Sequence, residues 1–312
     1  MGCYRECSRI AVAPTFLVPR LARPRAGGSR DNPRMKDTVI AFIGGGNMAG
    51  AIIGGLRKAG TDSRQLRVVE PLAAQRERLR QQYDVLAQEA PDGALAPAEV
   101  VVWAVKPQQF AAAAQALREH AGAAAGALHL SIMAGVRCAS IARLSGATRV
   151  VRAMPNTPAL IGRGVAGLYA SPACGQAERE RAELVLRATG SLVWVEQEAA
   201  LDAVTALSGS GPAYVFYLLE ALAAAGVRLG LPEATDRQLA LGTVGGAAAL
   251  AESSALSPAQ LREQVTSNGG TTAAALEVLG ARDVAGAFEA AMQAAARRAA
   301  ELADALERDA GG

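Results

Sequence analysis

Histidine, cysteine, lysine and aromatic residues are all scarce in this chain of 312 residues. Its two histidines, His120 and His129, offer no credible zinc set, so no metal is expected. The four cysteines, Cys3, Cys7, Cys138 and Cys174, are sparse and irregularly spaced. That argues against a disulfide framework and fits a reducing compartment, so a cytoplasmic location is expected. No uninterrupted apolar run reaches the roughly 18 residues of a membrane helix. The nearest, residues 121–136, is broken by glycines and by His129. A membrane partner is therefore not expected.

The charge excess is also absent where it would matter. The chain carries a net +3, but residues 1–34 hold seven arginines against Glu6 and Asp31, a local +5. From Met35 onward the balance is −2, which gives no basic surface for nucleic acid. Residues 1–34 also contain four prolines and show neither helical nor strand periodicity. An arginine-rich, acid-poor leader can be a transit peptide. Met35 instead opens a natural first strand, so a disordered or artefactual N-terminal extension is favoured over a targeting signal. The chain as a whole is 51% hydrophobic and 20% charged, enough apolar surface for one large domain or two.

From Thr38 short apolar runs alternate with helical stretches. Residues 39–43, 67–69, 100–105, 128–133 and 149–153 read as strands, and 48–59, 73–82, 108–120 and 138–144 as helices. Residues 177–188 and 191–195 add another helix and strand. Alternation at this spacing predicts βαβ units and a parallel sheet covered on both faces. After about Glu196 only helices follow, over 199–207, 212–226, 232–252, 258–266, 272–279 and 284–308. The predicted organisation is an α/β domain over 35–195 and an all-α domain over 196–312. Gly242, Gly245, Gly246 and Ala249 share one helical face, which predicts close approach by another helix of the same chain or of a partner.

Gly44, Gly46 and Ala49 occupy the three positions of a G-x-G-x-x-A dinucleotide fingerprint. The first glycine permits a tight turn, the second lets backbone N–H groups reach a pyrophosphate, and the alanine lets helix pack on strand. An apolar strand precedes the motif and an amphipathic helix follows it. Glu70, twenty-one positions beyond Ala49, ends the second strand. A carboxylate there accepts hydrogen bonds from ribose hydroxyls and repels a 2′-phosphate. That role outweighs a solvated turn residue before Pro71 and favours NAD over NADP, with Arg76 and Arg78 as cations that could restore a phosphate site.

In such sheets ligands bind beyond the C-terminal ends of the strands. The loops there are Ala104-Val105-Lys106-Pro107, Ile132-Met133-Ala134-Gly135 and Met154-Pro155-Asn156-Thr157-Pro158. Lys106 is one of three lysines, which supports a positional role, with a solvated loop lysine as an equal alternative. Met133 and Met154 read as packing residues. In the helical part, Ser267-Asn268-Gly269-Gly270-Thr271-Thr272 precedes a helix and would expose several N–H groups beside hydroxyls. Such a cluster suits a carboxylate. An N-cap of the ordinary kind explains the same residues equally well.

Five segments together resemble the Δ1-pyrroline-5-carboxylate reductases: Gly-Gly-Gly-Asn-Met-Ala (44–49), Ala-Val-Lys-Pro (104–107), Met-Pro-Asn-Thr-Pro (154–158), Leu-Ser-Gly-Ser-Gly-Pro-Ala-Tyr (207–214) and Ser-Asn-Gly-Gly-Thr-Thr (267–272). The resemblance runs from Met35 to the end of the chain. It implies a Rossmann-type domain, a helical dimerisation domain with interleaved helices, and homodimers that can build rings such as decamers. It also implies reduction of pyrroline-5-carboxylate to proline by NADH or NADPH. By the same resemblance, Ile43, Gly44, Gly46, Asn47 and Met48 hold the pyrophosphate. Ala104, Val105, Lys106 and Pro107, with Ile132, Met133, Ala134 and Asn156, complete the cofactor site. Ser267, Gly269, Gly270, Thr271 and Thr272 hold the substrate; beyond the resemblance, Thr272 is expected to contact the ring nitrogen as the catalytic residue. Glu70 departs from the small hydroxyl residue that many members carry there. The β-hydroxyacid dehydrogenases share the plan but use a lysine in the helical domain, and no lysine follows Lys106. A non-catalytic dinucleotide sensor would have no need of the 267–272 cluster.

Overall fold

The computed structural model describes residues 38–121 and 126–311. The expectation for residues 1–34 lies outside the described residues, as do Cys3 and Cys7. Eight strands form one sheet: β1 (Ile40–Ile43), β2 (Leu66–Val69), β3 (Ala87–Gln88), β4 (Val100–Trp103), β5 (Leu128–Ser131), β6 (Arg149–Met154), β7 (Gly164–Ala170) and β8 (Gly190–Trp194). Their spatial order is β3-β2-β1-β4-β5-β6-β7-β8. The central strands are short runs of Val, Ile and Leu because both faces are covered. Ile40 and Phe42 pack on one face, with Ile52, Ile53 and Leu56 of α1 (Asn47–Lys58) and Leu79 of α2 (Ala73–Tyr83). Ala41 and Ile43 pack on the other, with Phe110 and Leu117 of α3 (Phe110–Ala121) and Ile141 of α4 (Cys138–Ser145).

The expected all-parallel sheet needs one correction. β7 runs antiparallel to β6, while every other pairing is parallel. Only residues 155–163 connect β6 to β7, and a parallel return needs a crossover of about a dozen residues or more. The chain makes a 3₁₀ turn over Thr157–Ile161 and reverses at Gly162, whose φ is +70°. Sequence reading missed β7 because Gly-Val-Ala-Gly-Leu-Tyr-Ala is half small residues with weak strand preference. It missed β3 because that strand is two residues long. The helix α5 (Gln176–Leu186) then carries the chain across to β8, which pairs parallel with β7.

Two predicted strands end early. The segment expected over 100–105 stops at Trp103 and that over 128–133 stops at Ser131, which frees their last residues as strand-end loops. His129 is fully buried, and its Nδ1 accepts a hydrogen bond from Trp103 Nε1 at 3.0 Å. It is a core residue.

Beyond β8 the chain is helical: α6 (Ala200–Val204), a π-helical turn (Thr205–Gly209), α7 (Gly211–Arg228), α8 (Glu233–Ser253), α9 (Pro258–Gln264), α10 (Thr271–Ala281) and α11 (Val284–Gly311). The continuous helical stretch Ala200–Arg228 has the length and hydropathy to cross a membrane, although only 6% of its most apolar window is buried within this chain. Phe216, Tyr217, Leu239 and Val278 are all more than half exposed. A methyl group placed on Gly242, Gly245 or Gly246 would meet no atom within 4 Å. Among the described residues, then, no helix of the same chain approaches that face.

A buried ion pair joins the two regions. Arg152 on β6, almost fully buried, donates to Glu198 Oε1 at 2.8 Å, and the N–H of Cys138 donates to the same oxygen at 2.7 Å. Glu198 thereby ties the segment entering α6 to the sheet and to the start of α4. Burial, reinforced by the Glu198 carboxylate, pushes the Cys138 thiol well above its ordinary range. At the other end, Arg137 pairs with Asp304 at 3.1 Å and Glu307 at 3.3 Å on α11. Glu198→Ala leaves a buried guanidinium without its counter-charge and is expected to cost about 3 kcal/mol in urea unfolding. A loss below about 1 kcal/mol, the value of an exposed pair, would refute the structural role.

Candidate active site

The pairing register places the candidate loops side by side. Ile43 lies opposite Val69 and Trp103, Trp103 opposite Ser131, and Ser131 opposite Arg152. The chain segments leaving β1, β2, β4, β5 and β6 therefore emerge along one edge of the sheet. Gly44 leaves β1 at φ +102°, and a Cβ on it would stand 2.6 Å from the carbonyl oxygen of Ala104. Only glycine meets both conditions. Gly44 N–H donates to Val69 O and Ala104 N–H donates to Ile43 O, each at 2.8 Å. Gly46 caps α1 without a side chain, and a Cβ there would meet nothing within 4 Å. Ala49 is buried against the core cluster. Open space before an uncapped helix start, reached through small residues, fits the diphosphate of a dinucleotide.

Glu70 is buried at the end of β2. Its Oε2 accepts from Gly45 N–H at 2.8 Å and its Oε1 from Leu72 N–H at 2.9 Å. The neighbouring arginines are both engaged. Arg76 donates to the carbonyl oxygens of Glu70 and Pro71 and pairs with Glu89 at 3.3 Å. Arg78 donates to Asn47 Oδ1 at 2.7 Å and to Gly45 O at 3.3 Å.

Among the remaining expected cofactor residues, Ala104 and Val105 are half-buried at the edge and Lys106 is exposed. Pro107 begins a 3₁₀ turn that leads into α3. Ile132 N–H donates to Trp103 O, Ala134 is exposed, and Met133 is buried in the core as a packing residue. Asn156 is buried just beyond β6. Its Nδ2 donates to Ser208 O at 3.1 Å and its Oδ1 accepts from Val165 N–H at 3.0 Å. Both ends of the amide are used to hold the π-helical turn and β7 against the 154–158 loop.

The 267–272 segment forms the entry to α10. Gly269 has φ +69°, and Gly270 is the N-cap with no side-chain capping bond. The hydroxyls of Ser267, Thr271 and Thr272 therefore do not cap this helix, and the ordinary N-cap explanation is not realised. The first-turn N–H groups remain open to an acceptor. Thr272 is half-buried, whereas Ser267, Gly269 and Thr271 are exposed. Among the described residues no hydrogen bond joins this segment to the strand-end loops of the same chain.

Sequence reasoning had no signal for the Arg152–Glu198–Cys138 junction, because its three members are 14 to 60 residues apart. It considered Arg78 only as a phosphate ligand, and the bonds to Gly45 and Asn47 depend on how α2 lies against α1.

Comparison with known proteins agrees with this arrangement. Residues 198–302 match the family model described as pyrroline-5-carboxylate reductase dimerisation, and residues 39–135 match that described as NADP oxidoreductase coenzyme F420-dependent. The pyrroline-5-carboxylate reductase of Pseudomonas aeruginosa is 46% identical over 273 residues, covering 87% of this chain and 99% of that protein. That of Haemophilus influenzae is 42% identical over 270 residues, covering 86% and 98%. Among solved structures, the pyrroline-5-carboxylate reductase from Coxiella burnetii superposes with a TM-score of 0.79 at 38% identity, covering 85% of this chain and 98% of that one. A dinucleotide cradle on a Rossmann-like sheet, followed by a helical region of the dimerisation type, places this chain in the pyrroline-5-carboxylate reductase family.

Proposed function

We propose that the chain reduces Δ1-pyrroline-5-carboxylate to L-proline, the last step of proline synthesis, in the cytoplasm. The observation that carries the site assignment is the presence of two uncapped helix starts, one at Gly46 after the tight Gly44 turn and one at Gly270. The reduced nicotinamide supplies a hydride to the C=N carbon. Ala104–Pro107 and Ile132–Ala134 line the nicotinamide side of the cradle. The N–H groups at the start of α10 receive the substrate carboxylate, and the Thr272 hydroxyl contacts the ring nitrogen. That nitrogen gains one proton as the carbon gains the hydride. An imine basic enough to arrive protonated needs no strong general acid, which suits a site without a histidine. Catalysis is then chiefly positioning of donor and acceptor.

The working unit is a homodimer through the helical region. Its support is the exposed apolar surface of α7, α8 and α10 and the open glycine face of α8. We assign NADH as the preferred cofactor. Glu70 sets a buried negative charge beside the cradle, and Arg76 and Arg78 are already bonded to the protein. The domain division expected at 195/196 is kept in this proposal, since the last strand ends at Trp194 and the first helix beyond it begins at Ala200.

Initial rates with pyrroline-5-carboxylate, run in parallel with NADH and NADPH, test the activity and the cofactor together. Absence of turnover in protein that binds the cofactor would favour a dinucleotide sensor. Thr272→Ala is expected to lower kcat/KM about 10–100-fold, the value of roughly 1.4–2.7 kcal/mol in the transition state. An unchanged kcat/KM would remove Thr272 from the mechanism. Glu70→Gln, which removes the charge, is expected to narrow an NADH-over-NADPH preference about tenfold, equivalent to roughly 1.4 kcal/mol. A wild-type enzyme that prefers NADPH would overturn the role given to Glu70. Sedimentation of the full chain is expected to show a dimer or a ring of dimers, and a monomer at micromolar concentration would contradict the assembly.

A further inference from the structure

Three successive glycines, Gly44 to Gly46, form the loop that must present backbone amides to the dinucleotide. Such a segment has more conformational freedom to lose than any other, so its shape has to be imposed by its surroundings. Gly45 is held from both sides. Its N–H donates to Glu70 Oε2 at 2.8 Å, and its carbonyl oxygen accepts from Arg78 Nη2 at 3.3 Å. The same guanidinium donates through Nη1 to Asn47 Oδ1 at 2.7 Å, on the first residue of α1.

The carbonyl of Gly45 and the N–H of Gly46 belong to one peptide unit, and in a trans peptide they point in opposite directions. Drawing the Gly45 oxygen toward Arg78 therefore turns the Gly46 N–H away from Arg78. Gly46 has no neighbour around its Cβ position, so the loop is uncrowded at the residue that carries this N–H. Gly45 itself has no spare room. A Cβ there would stand 2.7 Å from Leu79 Cδ1 and 3.2 Å from Glu70 Cβ, so any larger residue would have to displace the Leu79 side chain. The Nε of Arg78 is buried without a hydrogen-bond partner among the described residues, a cost seldom accepted without a compensating role.

We propose that Arg78 is a cofactor-positioning residue that, with Glu70, clamps the Gly45 peptide and sets the loop amides for the dinucleotide diphosphate. The inference rests on the dinucleotide assignment above and deepens it. It gives Arg78 a role distinct from that of a 2′-phosphate ligand. The diphosphate is common to NADH and NADPH, so the clamp serves both alike.

The test is direct binding, by fluorescence titration of NADH and NADPH without substrate, on wild type, Arg78→Met and Arg78→Lys. Loss of the charged hydrogen bonds in Arg78→Met is expected to weaken both cofactors by the same factor, about tenfold. Arg78→Lys is expected to recover only part of this, because an ammonium on a single stem does not reproduce a planar fork spanning two acceptors. The KM for pyrroline-5-carboxylate at saturating cofactor is expected to stay unchanged. Unchanged NADH affinity in Arg78→Met, or a loss confined to NADPH, would overturn the clamp. Wild-type protein that binds neither cofactor would instead overturn the dinucleotide assignment beneath it. Should Arg78→Met unfold, Arg78→Gln provides the second variant, since it keeps a polar side chain at this half-buried position but loses the charged fork. It is expected to weaken NADH and NADPH equally, and no effect on either would again reject the clamp.

Discussion

The pairing of β1 between β2 and β4 is the constraint on which the ligand edge depends. It aligns Ile43 with Val69 and Trp103, so that Gly44, Glu70 and Ala104 follow one another across the sheet. A one-residue slip would turn every side chain of β1 to the opposite face and part Gly44 from Ala104. The register is held by burial on both sides, with Phe42 and Ile40 in one apolar layer and Ala41 and Ile43 in the other.

A second constraint acts between the regions. Glu198 accepts from Arg152 on β6 and from the amide that opens α4, while Arg137 in the same turn binds two acidic residues of α11. The start of α4 follows directly on the 132–135 loop. Both the entry to the helical region and its last helix are thus anchored next to the 132–135 loop at the strand ends. The π-helical turn bound by Asn156 adds a third tie at the end of β6.

Much of this architecture was legible in local residue patterns. The strand–Gly-x-Gly-x-x-Ala–helix unit follows from steric rules that act within a few residues, and the helix starts at Gly211, Pro258 and Val284 follow from similar local signals. Strand ends were overestimated at 104–105 and 132–133, because apolar residues that continue a strand pattern serve equally well as half-buried loop. β7 was invisible for the opposite reason, its small residues being extended only because β6 and β8 flank them. The motif made Asn156 legible as a candidate site residue but not its bonds to Ser208 and Val165, which lie far along the chain or across a turn.

The sequence by itself determined the alternation of strands and helices, the glycines of the cradle and the small-residue entry to α10. These depend on backbone conformations and side-chain sizes that each residue carries wherever it is placed. Only the tertiary structure decided that β7 runs antiparallel, that Glu70 and Arg78 meet on the Gly45 peptide, and that Glu198 rather than any sequence neighbour neutralises Arg152. Those outcomes turn on connection length, on the angle between packed helices, and on which charges are buried together. Each is a relation between distant parts of the chain, and none is a property of a residue or its neighbours.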